Sequence, residues 1–97
     1  MTRTEIFASL TPHRDEIRGF GVRGLRLFGS AVRDEAGADS DLDFLVDLDP
    51  VTFDNYMDLK FFLEDLFSRK VDLVLADTIK PRLRERIQEE AVHAPGF

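Results

Sequence analysis

A chain of 97 residues, 43% apolar and 10% aromatic, is long enough for one hydrophobic core and too short for two. Its net charge of −6 argues against a nucleic-acid or anionic-membrane surface, and the lack of cysteine excludes disulfides and thiolate metal sites. No apolar run approaches the roughly 20 residues of a membrane span, and the opening Met-Thr-Arg-Thr-Glu lacks a signal-peptide core, so a single cytoplasmic domain over residues 1–97 is expected.

Ile6, Phe7 and Leu10 suit a short amphipathic helix. Thr11-Pro12 then reads as an N-cap followed by proline at the first helical position. Two short helices, or one kinked one, should therefore precede Gly19. From Arg23 to Phe28 apolar and polar positions partly alternate before Gly29-Ser30, which predicts a strand ending in a tight turn. A second strand is expected from Asp41 to Asp49, with Leu42, Phe44, Val46 and Leu48 on one face and Asp41, Asp43, Asp47 and Asp49 on the other; Leu45 lies among them, and Pro50 ends the run.

Tyr56, Leu59, Leu63, Leu66 and Phe67 recur every three or four residues, so an amphipathic helix is expected from about Phe53 to Phe67. Ser68-Arg69-Lys70 turns the chain into a third strand, Val71 to Leu75. A last helix opens at Pro81 with Leu83, Ile87 and Ala91 on one face, closed by Pro95-Gly96. The fold class this order predicts is α/β (α+β), a small mixed β-sheet flanked by helices. His13 and His93 read as surface residues.

Charge is distributed unevenly. Between Asp34 and Leu59 the chain holds nine acidic residues and no lysine or arginine, whereas basic residues cluster before and after. Most of this block suits a solvated face, but Asp41 and Asp43 are two apart on a strand. Both side chains therefore leave one face about 6.5 to 7 Å apart along the backbone, and can converge on one or two cations. Asp72 is the one polar residue between Val71 and Val74, and a carboxylate in a buried strand needs a partner or a metal. If the third strand lies beside the second, Asp72 can reach the same cations. Gly29-Ser30 offers close backbone approach and a hydroxyl for a phosphate, and Arg33 offers a guanidinium to phosphate or to the acidic block.

Taken together, Leu27-Phe28-Gly29-Ser30-Ala31-Val32-Arg33, Ser40-Asp41-Leu42-Asp43-Phe44-Leu45-Val46 and Lys70-Val71-Asp72-Leu73-Val74 resemble the signature of the DNA polymerase beta-like nucleotidyltransferase superfamily, and of its minimal nucleotidyltransferase group in particular. The resemblance runs roughly from Leu25 to Ile87. It implies that Gly29, Ser30 and Arg33 hold the triphosphate of ATP. Asp41, Asp43 and Asp72 would bind two Mg2+ ions, with Asp72 also assisting the acceptor hydroxyl in its attack on the α-phosphorus. One departure is Asp34, where such proteins often carry glycine.

The chain has no room for the added acceptor domain of larger members. Minimal members are commonly the antitoxin half of a HEPN/MNT toxin–antitoxin pair, which implies AMP transfer to a tyrosine of a helical HEPN ribonuclease. Three other readings stand beside it: an antitoxin that neutralises its toxin by binding alone; a transferase for a small molecule such as an aminoglycoside, its pocket completed by a second subunit in a homo-oligomer; and a purely structural module, for which nothing requires three aspartates and Gly-Ser at these intervals.

Overall fold

The computed structural model describes residues 1–34 and 40–97. Helix α1 (Arg3–Leu10) starts at a reciprocal cap in which Thr2 and Glu5 each accept the other's backbone amide through their side chains. That exchange, chiefly the bond from the Thr2 amide, holds the Glu5 carboxyl below its ordinary range. A single 3₁₀ turn (Thr11–His13) leads into α2 (Arg14–Gly19), giving the two short helices expected. Thr11 is not the N-cap anticipated for it. Its hydroxyl donates backwards to the Phe7 carbonyl at 3.0 Å and so closes α1, while Pro12 occupies the start of the tighter turn.

Strand β1 (Val22–Phe28) runs into a second 3₁₀ turn (Gly29–Arg33). Strand β2 (Leu42–Leu48) is followed by α3 (Phe53–Phe67), whose N-terminus is capped by the Thr52 hydroxyl accepting from the Asn55 amide at 3.0 Å. Helix α3 ends at Ser68 in the left-handed region, which reverses the chain into β3 (Val71–Leu75). After a 3₁₀ turn (Ala76–Thr78) comes α4 (Pro81–Glu90), and then a two-residue strand that the sequence reading lacked, β4 (Val92–His93). The expected helix ran on through Ala91; instead Ala91 is extended and starts the return to the sheet.

The sheet order is β3-β2-β1-β4, with β2 and β3 parallel and the other neighbours antiparallel. Register places Leu25 opposite Val46, Leu27 opposite Phe44, and Phe44 opposite Leu73. These side chains share one face, and together with Ile6, Leu10 and Ile17 from the first helices and Leu59 and Leu63 from α3 they make the core. Phe44 stacks on Phe67 with ring centroids 5.9 Å apart. Among the described residues eleven large side chains are essentially fully buried, each contributing about 1.5 to 3 kcal/mol of burial, and this fixes α1, α2 and α3 to one face of the sheet.

The other face carries Phe28, Arg26 and Gly24 of β1 opposite Asp43, Leu45 and Asp47 of β2, with Asp72 and Val74 of β3 level with Asp43 and Leu45. Helix α4 buries none of its own residues. Leu83, expected to face inward, is exposed, and the contact with this side of the sheet is left to the buried Ile79 just before the helix. Leu45 and Ile79 are buried yet separate from the main core. Of the acidic block, Glu35 and Asp39 lie outside the described residues.

Candidate active site

The turn after β1 exists because Gly29 adopts φ +76°, a conformation costly to any residue with a Cβ. A Cβ at that position would overlap Oδ2 of Asp43, so glycine is required twice over: once for the backbone angle and once for the carboxylate lying against it. Gly29 and Ser30 are half-buried, and Arg33 is exposed at the end of the same turn.

Asp34 follows in the left-handed region at φ 57°. That conformation accounts physically for glycine being a natural occupant there. Its carboxylate turns away to accept the Arg3 amide at 2.6 Å, capping the start of α1, so the extra charge is satisfied by a helix N-terminus.

Asp41, exposed, stands immediately before β2, and Asp43, half-buried, is its second residue. Asp72 is the second residue of β3 and lies directly opposite Asp43 in the parallel register. The two strands are thus neighbours, a condition the sequence left open, but the buried surroundings expected for Asp72 are not found. Asp72 is exposed, because β3 is the edge strand and its open face is not covered, so desolvation is not what demands a partner for it. The partly desolvated carboxylate is Asp43. Burial first, then the negative charges of Asp72 and Asp41, push its pKa above the ordinary aspartate value.

Edge strand β3 is held from outside by Tyr56 of α3, whose hydroxyl donates to the Leu73 carbonyl at 2.6 Å. Burial and the charge of Asp72 raise the Tyr56 pKa, so the phenol stays protonated and the bond persists at neutral pH. At the strand's start, the Val71 amide donates to Glu64 Oε2 at 3.1 Å and the Leu42 amide to the Lys70 carbonyl at 3.1 Å. The first ties β3 to α3 and the second ties the two aspartate-bearing strands together where the aspartates lie.

The arrangement suits a hard dication with phosphate ligands. Three like charges are gathered at one end of the sheet and raise the proton affinity of Asp43, a cost that a bound cation would reverse. Among the described residues no group of three imidazole or carboxylate side chains is placed to hold a metal ion by itself. Magnesium does not ask for one, since it keeps waters and takes oxygens from phosphate beside one or two carboxylates.

On the same open face, beyond Asp43, lies a cavity of about 240 Å³. Gly24 and Leu45 line it together with Ile79, Phe97, Arg26 and His93. Arg26 Nε donates to His93 Nε2 at 3.1 Å across β1 and β4, and Arg23 pairs with Asp49 at 2.8 Å nearby. His93 is exposed, as read from sequence, whereas His13 is half-buried, edge-on to Phe62 at 5.6 Å. Sequence reasoning missed this cavity, because its residues come from three strands, the segment from Ala76 to Ile79, α4 and the tail, and only tertiary packing brings them together.

Residues 12–93 match the family model of the nucleotidyltransferase domain. The chain is 39% identical over 95 residues to the protein adenylyltransferase MntA of Thermococcus cleftensis, covering 96% of each. Among solved structures it resembles one described as a minimal nucleotidyltransferase, with TM-score 0.74, 35% identity and 95% of each chain covered. It shares its fold with a chain of a toxin–antitoxin solved with AMP-PNP, with TM-score 0.72, 20% identity, and 94% of this chain and 73% of that one covered.

Proposed function

The chain belongs to the nucleotidyltransferase domain family and is a nucleotidyltransferase, and from that premise we propose that it is an antitoxin that moves AMP from ATP onto a tyrosine hydroxyl of a helical HEPN-type toxin in the cytosol. The observation that carries the reading is the pairing of Asp43 with Asp72 across adjacent parallel strands, with Gly29 pressed against Asp43. Support for the protein acceptor comes from the relative named as a protein adenylyltransferase, and for the nucleotide and partner from the toxin–antitoxin solved with AMP-PNP.

In this reading the amides of the Gly29–Arg33 turn, the Ser30 hydroxyl and Arg33 receive the β- and γ-phosphates. Asp41, Asp43 and Asp72 would hold two Mg2+ ions, which when bound would neutralise charge on the triphosphate and acidify the attacking hydroxyl. Asp72, exposed and level with Asp43, would take the hydroxyl proton. Residues 1–97 act as one domain, and the acceptor comes from the partner protein.

The test is label transfer from α-phosphate-labelled ATP with magnesium into a co-expressed toxin, comparing the unaltered chain with Asp41→Asn, Asp43→Asn. Label on protein only with the unaltered chain supports the proposal. Neutralisation of the toxin that survives in the double variant would show that binding alone suffices and would sink the enzymatic account of antitoxicity.

A further inference from the structure

Displacement at the α-phosphorus brings the attacking and leaving oxygens roughly into line. Pyrophosphate would leave toward Gly29 and Ser30, since that turn is the phosphate-binding end. Strands β1 and β2 are antiparallel, with Phe28 opposite Asp43, Arg26 opposite Leu45 and Gly24 opposite Asp47. The turn therefore sits at one end of the carboxylates, and the open-face cavity begins on the other side, one side-chain repeat of about 6.5 to 7 Å along β2.

We propose that this cavity, floored by Gly24 and Leu45 and walled by Ile79 and Phe97, is the acceptor site, taking an aromatic hydroxyl side chain such as that of tyrosine. This rests on the function proposed above and assigns its second substrate a place. The cavity of about 240 Å³ is roomy enough for a phenol ring, and its lining is mixed, with Leu45, Ile79 and Phe97 apolar and Arg23, Asp47 and Gln88 polar. Leu45 is 4% and Ile79 7% exposed, a second buried apolar patch that the main core does not need. Helix α4 leaves the space open rather than filling it, since none of its side chains is buried. Arg26 and His93, joined by their hydrogen bond, form a polar rim on the β4 side.

A ring seated there directs its hydroxyl back along β2 toward Asp43, with Asp72 alongside. The acceptor oxygen forms a bond to the α-phosphorus, and the bond from that phosphorus to the oxygen bridging to the β-phosphate breaks. Pyrophosphate departs with the electron pair, and the hydroxyl proton passes to Asp72 and on to water. Gly24 has a further consequence: an added Cβ there meets nothing closer than Asp47 Cβ at 3.8 Å, and its φ lies outside the left-handed region, so larger residues fit the backbone and protrude into the cavity.

The experiment uses the 15N-labelled full chain with magnesium and α,β-methylene-ATP, a nucleotide that cannot react, followed by titration with N-acetyl-L-tyrosinamide as the acceptor probe. The nucleotide is expected to shift the amides of Gly29 and Ser30. The tyrosine probe is expected to shift Leu45, Ile79 and His93, with its affinity falling about tenfold or more in Gly24→Val while the nucleotide's holds. The exposed substitution Gln88→Trp, at the cavity mouth, gives the same contrast should Gly24→Val fold poorly. Nucleotide-induced shifts that fill the cavity would assign it to the nucleobase and overturn the proposal, as would a probe that shifts none of the cavity amides. Failure of the nucleotide to shift Gly29 and Ser30 would instead overturn the functional reading on which the proposal rests.

Discussion

Asp43 on β2 and Asp72 on β3 are register partners in the one parallel pairing among the described residues, and the charge of Asp72 adds to the burial that raises the cost of charging Asp43. Strand pairing alone brings them level, and the interaction between them is repulsive until something positive arrives. The relationship makes stability, metal affinity and transfer measurable through the same two side chains.

The raised pKa of Asp43 fixes a sign. The folded form binds the Asp43 proton more tightly than the unfolded chain does, so charging this group costs stability as pH rises from the ordinary aspartate range through the higher folded value. Asp43→Asn should therefore raise the melting temperature at pH 7, with the gain vanishing below about pH 3.8. Transfer should fall by about 10²- to 10⁴-fold, checked by thermal scans across pH beside a label-transfer assay.

Magnesium added to the unaltered chain should raise its melting temperature in proportion to occupancy, and chelation should reverse the rise. In Asp41→Asn, Asp43→Asn the increment should disappear. An equal increment in both proteins would place the ion elsewhere.

Gly29→Ala combines a left-handed backbone cost of about 1 to 2 kcal/mol with displacement of the Asp43 carboxylate, because the new Cβ would overlap Oδ2. Urea unfolding should show a loss of at least that size. Transfer should fall toward that of the Asp43 variant even though no carboxylate has been removed.

Asp34 opposes two effects that substitutions can separate. Asp34→Gly relieves the left-handed strain but gives up the bond to the Arg3 amide, so its stability should stay within about 1 kcal/mol of the unaltered chain. Asp34→Ala keeps the strain and loses the bond, and should be less stable than the glycine variant by about 1 kcal/mol. Denaturant midpoints decide this.

Tyr56→Phe removes one hydroxyl and leaves the Leu73 carbonyl at the β3 edge without that donor. A loss of about 1 kcal/mol is expected. Amide exchange at Val71 to Leu75 should quicken more than in β1, since β3 has a single strand neighbour.

Much of this was legible in the residues themselves. The alternation through Leu42, Phe44, Val46 and Leu48 marked β2 and its buried face, and the three- and four-residue spacing from Tyr56 to Phe67 gave α3 its extent, because burial on one face imposes those periods. Gly29, Asp41, Asp43 and Asp72 stood out because residues of that kind interrupt or flank apolar strands. Local pattern failed where local propensity does not decide. Val92-His93 is too short to carry a period and becomes strand only because Arg26 and Leu27 offer it a ladder edge. Thr11 has the chemistry of an N-cap, but its hydroxyl found the Phe7 carbonyl first.

The sequence by itself determined β2, α3 and β3 and the face of β2 that is buried, since these follow from side-chain period and residue type along a short stretch of chain. Only the tertiary structure decided that β3 lies parallel to β2 with Asp72 level with Asp43, that Asp43 rather than Asp72 is the partly buried charge, and that Leu45 and Ile79 line an open cavity on the same face of the sheet. Register, exposure and enclosed space depend on which distant segments meet, and distant contacts are set by packing the whole core at once, which no local window of sequence contains.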